Sequence, residues 1–262
     1  MMTTKAVVYT INQTNIELIA TSLFSLIKSY EGEDKLTVFL LVDDIFEKDI
    51  TILRSFSKIM KKEQIEISIW QMPQELNQLT SLNANGGLTR YNVAKFFLPN
   101  YFANFDKIIY LAAETLVLGD ISEYFRDFTE ESAVGVVKQA RDGDDSFSTA
   151  SMIFSTKVYN QKYPVDKLIA AINNSPATVT EHEFSNQLFK EDSQCLAAKY
   201  NTAAVSDTEK QTCVVRNFVD SEERTKPWNH LALMNKWDRA FWTYFTEMKG
   251  LVFQAHTSSK SL

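Results

Sequence analysis

The chain has 262 residues, of which 45% are hydrophobic and 12% aromatic, and it contains 7 Gly and 5 Pro. This composition excludes a disordered or linker-rich chain, and the length suits one α/β domain with a sizeable core. The net charge of −6 excludes an overall basic field of the kind that draws a protein to nucleic acid.

The cysteines and the start of the chain indicate a location. Cys195 and Cys213 are the only cysteines, and no run of 18 apolar residues is present that would span a membrane. The first residues lead into an apolar segment at Lys5 without the hydrophobic region of a signal peptide. We therefore expect a cytoplasmic protein with two free thiols, in at most peripheral contact with the inner face of a membrane.

The first seventy residues alternate between apolar strands and amphipathic helices. The predicted strands are Lys5 to Tyr9, Thr37 to Asp44 and Ile65 to Trp70, the predicted helices are Ile16 to Tyr30 and Phe46 to Met60, and a polar loop is predicted over Thr10 to Asn15. Apolar residues recur at helical spacing in both helices, which gives each helix one buried face. Strands that alternate with helices are typical of a parallel sheet flanked by helices.

The rest of the chain is predicted to be mostly helix and loop. The predicted elements are a helix over Leu88 to Leu98 that Pro99 ends, strands near Ala133 to Val137 and Ala150 to Ser155, a polar loop over Gln139 to Ser146, helices over Val165 to Asn173, Glu181 to Lys190 and Trp237 to Met248, and a frayed tail over Gln254 to Leu262. Trp237, Phe241, Trp242 and Tyr244 form an aromatic stripe. We expect this stripe to pack in the core rather than to lie on a membrane surface.

The stretch Phe105 to Asp120 is central to the interpretation. Its apolar run Ile108 to Leu111 predicts a strand buried on both faces, as in the middle of a parallel sheet. Ala112-Ala113-Glu114 then cross to a second apolar run, Leu116 to Leu118. The crossing lies at the carboxyl end of the strand, where open α/β sheets bind ligands.

This stretch resembles a motif of glycosyltransferase family eight, Tyr-Leu-Asp-x-Asp-x-x-Val-x-x-Asp-Ile, in which two aspartates hold a divalent metal against a nucleotide-sugar diphosphate. Here Ala112 and Glu114 stand in place of the two aspartates. The resemblance covers nearly the whole chain. It implies a Rossmann-like GT-A fold in one domain over residues 1–253, with a mixed, mainly parallel sheet flanked by helices.

Further motifs extend the resemblance around the donor. Asn12 replaces an aspartate that contacts the nucleotide base, and Lys95 replaces an arginine that faces the donor. Asn217 replaces a histidine that is the third metal ligand, and Ser148 replaces an asparagine near the donor sugar. The residues that the resemblance places around the donor are Thr10, Asn12, Lys95, Ala112, Glu114, Ser148, Asn217 and Lys226.

Two other motif positions bear on catalysis. His182, in Glu181-His182-Glu183, replaces a glutamine beneath the anomeric carbon, and Lys138 replaces an aspartate that contacts the sugar. The resemblance makes Glu181, His182 and Lys138 the candidate catalytic residues. The alternatives are an ordinary solvated lysine at Lys138 and an exposed or carboxylate-paired histidine at His182.

The altered metal-ligand positions leave several functional hypotheses. A methyl group and a neutral amide are poor ligands for Mn²⁺, so we expect that the family metal site is lost. The first hypothesis is a homologue in bacterial surface-glycan assembly that is inactive or accessory. The second is an active, metal-independent retaining hexosyltransferase in which Lys95, Lys138 and Lys226 neutralise the diphosphate of a UDP-sugar. A third is a module that only binds proteins. Implied partners are a nucleotide sugar, a glycan acceptor, and a partner glycosyltransferase or second copy.

Overall fold

A computed structural model describes residues 4–82, 87–129, 131–138, 146–203, 213–219, 225–230, 232–233 and 235–258. The strands are β1 (Lys5–Asn12), β2 (Leu36–Asp43), β3 (Ile65–Gln71), β4 (Lys107–Leu111), β5 (Thr115–Val117), β6 (Val134–Lys138), β7 (Phe147–Ser155), β8 (Ser193–Cys195) and β9 (Val215–Asn217). The α-helices are α1 (Ile16–Ser29), α2 (Glu47–Ile59), α3 (Arg90–Val93), α4 (Leu98–Tyr101), α5 (Ser122–Asp127), α6 (Thr156–Lys162), α7 (Val165–Asn173), α8 (Glu181–Phe189) and α9 (Lys236–Ser258).

A seven-stranded sheet in the order β3-β2-β1-β4-β7-β6-β8 forms the centre of the fold. Strands β3, β2, β1 and β4 are parallel to their neighbours, and β8 is parallel to β6. Only β7 runs in the opposite direction, against β4 and β6. The observed architecture confirms the mixed, mainly parallel sheet that the sequence predicted.

Strand β4 is buried on both faces because helices cover both sides of the sheet. Ile109 and Leu111 belong to a hydrophobic cluster that includes residues of α1, α2 and α9. Ile108 and Tyr110 face the opposite side and pack in a cluster with residues of α4, α7 and α8. Successive side chains of a strand point to opposite faces, so one continuous apolar run supplies both layers.

Several predicted boundaries differ from the structure. Strand β1 continues through Asn12 into the predicted loop, because the main chain of residues 10–12 pairs with β2. The predicted helix at 88–98 is divided into α3, a 3₁₀ helix at Ala94–Phe97 and α4. Pro99 does not end it: proline lies in the first turn of α4, where its missing N–H is not needed.

The end of the chain is also more helical than predicted. Helix α9 continues to Ser258, since Leu251 is buried and Val252 packs against the same cluster. The first five residues of the predicted tail, 254–258, are therefore helical, and residues 259–262 lie outside the described part of the chain. Trp237 and Phe241 are buried, which confirms core packing for this part of the aromatic stripe. Most of the predicted loop 139–146 lies outside the described residues.

Gly135 lies where β6 passes close to its neighbours, and we expect Gly135→Ala to destabilise the protein by about 1–3 kcal/mol. An added Cβ would lie 2.5 Å from Cγ2 of Ile153 and 2.8 Å from Cδ1 of Leu196. Urea denaturation would measure the loss of unfolding free energy. The control is Gly250→Ala in α9, where an added Cβ meets nothing within 4 Å. This control should gain about 0.5–1 kcal/mol from helix propensity. Equal stability of Gly135→Ala and the unaltered protein would refute the packing argument.

Candidate functional site

The candidate site surrounds the crossing that follows β4. The N–H of Ala112 donates to the carbonyl of Ala150 in β7 at 2.8 Å. On the other side, the N–H of Phe218 donates to the carbonyl of Glu114 at 2.9 Å, and β5 pairs with β9 so that Thr115 lies opposite Asn217. The crossing is thus fixed between β7 and β9, which brings the three family metal-ligand positions into one region.

Glu114 forms an ion pair in this region. Its carboxylate lies 2.8 Å from Nζ of Lys226, and Lys226 as a whole residue is only 5% exposed. The indole ring of Trp228 lies 5.8 Å from the same ammonium group. Lys226 reaches this position because the turn Pro227–Asn229 follows it directly and places Trp228 beside Phe218. One positive and one negative charge cancel here, so the pair contributes no net charge.

Asn217 is fully buried, and its amide is used in structural hydrogen bonds. Its Nδ2 donates to Oγ of Ser148 at 3.2 Å, which links β9 to β7. Its Oδ1 accepts a hydrogen bond from the N–H of Val219 at 2.7 Å. The amide oxygen, the group that would bind a cation, therefore already caps the turn after β9.

A second buried ion pair joins Lys95 to Glu181 at the start of α8. Nζ of Lys95 lies 3.1 Å from Oε1 of Glu181 and 4.9 Å from the centre of the Tyr110 ring. The carboxylate also accepts hydrogen bonds from the hydroxyl groups of Thr149, at 2.9 Å, and Ser185, at 2.6 Å. Lys95 is 4% exposed, so this is a nearly solvent-free pair whose carboxylate is well satisfied.

Thr10 and Asn12 lie at the carboxyl end of β1. Oγ1 of Thr10 lies 3.4 Å from the hydroxyl of Tyr110, and burial raises the pKa of Tyr110 to about 12, so this phenol stays neutral. Oδ1 of Asn12 accepts hydrogen bonds from the N–H groups of Thr14 and Asn15 at 3.1 and 3.2 Å. Asn12 therefore caps the 3₁₀ helix that follows β1.

His182 and Lys138 lie on the wall of a cleft of about 530 Å³ beside α8. Lys138 is exposed at the end of β6. His182 is partly buried instead of exposed, and its Nε2 is enclosed without a hydrogen-bond partner among the described residues. The alternative of an exposed histidine is thus wrong, because the first turn of α8 packs against the start of β7.

The structure groups the predicted site residues by contact. Ala112, Glu114, Ser148, Asn217 and Lys226 surround the crossing after β4, Lys95 joins Glu181, and Thr10 lies beside Tyr110. Their roles toward a ligand stay predictions.

Sequence reasoning missed several supporting residues. Thr149, Ser185 and Trp228 hold the site together, but sequence reasoning gave none of them a role. Ser185 lies four residues after Glu181 on one helix, a spacing that could have suggested their hydrogen bond. The contact of Thr149 depends on how α8 packs on the sheet.

Among the described residues, the side chains at the three family metal-ligand positions do not fit a divalent cation. Ala112 offers a methyl group, the amide of Asn217 is hydrogen-bonded, and the carboxylate of Glu114 is paired with an ammonium group. A hard dication requires several oxygen ligands or, for Mn²⁺, oxygen and imidazole ligands together. Within the described ranges, no three His, Cys, Asp or Glu side chains are grouped so as to hold a metal ion.

In the described residues, none of the helices combines the length and apolar character needed to cross a bilayer.

Comparisons with known proteins place the chain among glycosyltransferases. Residues 6–232 match the family model described as Glycosyl transferase family 8. Glycosyltransferase GlyE of Streptococcus pneumoniae serotype 4 is 23% identical over 201 residues, which cover 76% of this chain and 48% of GlyE. The chain therefore spans about half the length of this curated relative.

Solved structures support the same fold. The apo form of GlyE has a TM-score of 0.73 at 18% identity, and the match covers 98% of this chain and 64% of that one. The galactosyltransferase LgtC, in complex with donor and acceptor sugar analogs, has a TM-score of 0.71 at 12% identity. The match covers 92% of this chain and 95% of the LgtC chain. These likenesses confirm the GT-A fold.

Proposed function

Because the chain belongs to glycosyl transferase family 8, we propose that it serves glycan assembly as an accessory homologue that does not carry out metal-dependent sugar transfer. The observation that carries this proposal is the Glu114–Lys226 ion pair at the family metal position. Its partners would be a glycan and a second glycosyltransferase or another copy of this chain.

Charge at the site supports the proposal. The diphosphate of a nucleotide sugar is strongly negative, and departure of the nucleoside diphosphate requires a counter-charge worth several kcal/mol of barrier. In the family motif a dication supplies that charge. Here the ammonium of Lys226 faces a carboxylate at 2.8 Å, and the two charges sum to zero. A donor would have to compete with Glu114 for the lysine.

The same contacts weigh against the metal-independent transferase. That hypothesis requires Lys95, Lys138 and Lys226 to neutralise a diphosphate. Two of these lysines lie within 3.1 Å of a carboxylate and are almost completely buried. Separating a buried ion pair costs several kcal/mol unless an equally good partner replaces the carboxylate. Lys138, the third, lies on the exposed end of β6.

An activity assay tests the proposal. UDP-glucose and UDP-galactose would each be incubated with the protein and neutral sugar acceptors, in Mn²⁺ or in EDTA, and UDP release would be measured. A metal-dependent family member assayed in parallel serves as the positive control. We expect no UDP release above the protein-free rate in either buffer. Release that requires Mn²⁺ would refute the proposal, and release in EDTA that Lys226→Ala abolishes would establish the metal-independent transferase.

A further inference from the structure

Strand β3 forms one edge of the main sheet. In the described part of the chain it pairs with β2 alone, in an unbroken register from Leu36 opposite Ile65 to Val42 opposite Gln71. At the end of the strand, the hydroxyl of Tyr101 donates to the carbonyl of Gln71 at 3.5 Å. The outer side of β3 therefore presents a regular row of main-chain N–H and C=O groups, which is a template for a further strand.

Proteins usually protect such an edge, and the two edges of this sheet differ in this respect. Strand β8, at the opposite edge, has three residues, and short length is one of the protective devices. Strand β3 has the seven residues IEISIWQ, with Glu66 as its one charged side chain. It contains no proline, no lysine and no bulge, the other devices that discourage pairing between sheet edges.

The edge also exposes a large apolar side chain, since Trp70 is 43% exposed. Its ring contacts three other aromatic rings, those of Phe39, Tyr101 and Phe102, with centroids at 5.9, 5.6 and 5.6 Å. Its Nε1 donates to Oγ of Ser68 at 3.0 Å, so the polar group of the indole is satisfied within the strand. The ring is therefore held in place, and the surface that it leaves in solvent is apolar.

A second copy of the same strand fits this edge in one register. Two strands related by a two-fold axis pair antiparallel, and opposite residues must point to the same face of the sheet, so the axis passes through a residue. Only an axis at Ser68, the middle residue, pairs all seven residues of both strands. Ile67 then lies opposite Ile69 of the second copy, and Glu66 lies opposite Trp70 of the second copy.

The side chains that meet in this register are compatible. The isoleucine pairs continue the β-branched packing of the sheet across the join, and β-branched and aromatic cross-strand pairs stabilise a sheet. The two Glu66 carboxylates are kept apart, because each lies opposite an indole ring. An axis at Glu66 would instead place two carboxylates directly opposite each other, which is unfavourable.

We propose that β3 is the interface of a homodimer, in which two copies pair through antiparallel β3 strands across a two-fold axis at Ser68. The two seven-stranded sheets then form one continuous sheet. Strands β2 and β1 separate β3 from β4, so the interface lies apart from the candidate site at the carboxyl end of β4. Because the strands of the two copies run in opposite directions, the two candidate sites open at opposite edges of the joined sheet. Formation of this dimer requires neither sugar transfer nor a metal ion.

Disulfide cross-linking tests the register. The full chain would carry Cys195→Ser and Cys213→Ser, which remove the two native thiols, together with Ser68→Cys. In the dimer the two introduced thiols lie directly opposite each other, with Cα atoms about 4.5–5.5 Å apart, a separation that a disulfide spans. We expect oxidation with copper phenanthroline to give mainly a cross-linked dimer on a non-reducing gel.

Glu66→Cys in the same background is the matched control for cross-linking. Each introduced thiol would lie opposite Trp70 of the second copy, about four residues or roughly 13 Å along the strand from the other thiol. A disulfide cannot span that distance, so we expect little cross-linked dimer.

Sedimentation equilibrium of the unaltered chain measures the dimer itself, and we expect a dimer that dissociates on dilution. Ser68→Lys places two ammonium groups opposite each other at the axis and should weaken dimerisation by about tenfold. Thr246→Lys makes the same charge change at an exposed position in α9 and should leave the dissociation constant unchanged.

A monomer at every concentration would overturn the proposal. Equal effects of Ser68→Lys and Thr246→Lys on the dissociation constant would overturn the placement of the interface at β3. Cross-linking of Glu66→Cys as fast as that of Ser68→Cys would overturn the register. Circular dichroism would verify that each variant is folded, and if Ser68→Lys unfolds the chain, the two cysteine variants decide the placement. All these measurements omit UDP and Mn²⁺, so their outcome is separate from that of the activity assay.

Discussion

Replacement of Lys95 by methionine is expected to lower the free energy of unfolding by about 3–5 kcal/mol, the cost of leaving a buried charge without its partner. The carboxylate of Glu181 would keep its hydrogen bonds from Thr149 and Ser185 but lose an ammonium group at 3.1 Å. Water cannot replace that group easily, since the side chain of Glu181 is only 14% exposed. Urea denaturation followed by circular dichroism would measure the change.

Two further variants distinguish the stability effect of breaking a buried ion pair from the effect of simply removing a lysine. Lys249→Met removes a lysine whose ion pair with Glu17 is on the surface, and it should cost less than about 1 kcal/mol. The double variant Lys95→Met/Glu181→Leu removes both charges and should recover most of the lost stability. If Lys95→Met costs no more than Lys249→Met, the Lys95–Glu181 pair does not stabilise the fold as described.

Replacement of Glu114 by glutamine is expected to create a metal-independent site for anions. The change removes the negative charge that lies 2.8 Å from Nζ of Lys226, so the net charge of the two side chains rises by one. We expect inorganic pyrophosphate to bind about tenfold more tightly than to the unaltered protein, as measured by calorimetry in EDTA. Stability should fall by about 1–3 kcal/mol, less than for a fully buried pair, because the side chain of Glu114 is 26% exposed.

The matched control is Glu123→Gln. Glu123 lies away from the crossing after β4, and its carboxylate is 2.7 Å from Nζ of Lys199. The Glu123→Gln variant therefore makes the same change in net charge at another ion pair. Pyrophosphate affinity should stay at the level of the unaltered protein. Equal affinities of the Glu114 and Glu123 variants would show that Glu114 does not neutralise Lys226 toward a bound anion.

The main sheet could be predicted because its signals are local. The run Ile108 to Leu111 contains the residues that face both layers of helices, and α1 shows its buried face as a helical repeat. The short edge strand β8 was missed because its three residues do not show the alternation of apolar and polar side chains that marks a strand. Helix α6 was missed for a similar reason, since polar residues make up most of its seven positions.

The candidate site was predictable as a set of residues but not as a set of contacts. The motif resemblance identified Lys95 and Glu181 separately, and likewise Glu114 and Lys226. The pairing of each lysine with a carboxylate depends on the packing of elements that are far apart in the chain. Sequence alone therefore left open whether these lysines face a diphosphate, whereas the structure directs both toward protein carboxylates.

The central claim is that the family metal position no longer links a divalent cation to a nucleotide diphosphate. Its most direct test is calorimetric titration of UDP into the protein, once with Mn²⁺ and once with EDTA. We predict the same UDP affinity, or the same absence of binding, in the two buffers. UDP binding that is tighter by about tenfold or more in Mn²⁺ would contradict the claim, because such a gain requires a metal ion held between the protein and the diphosphate.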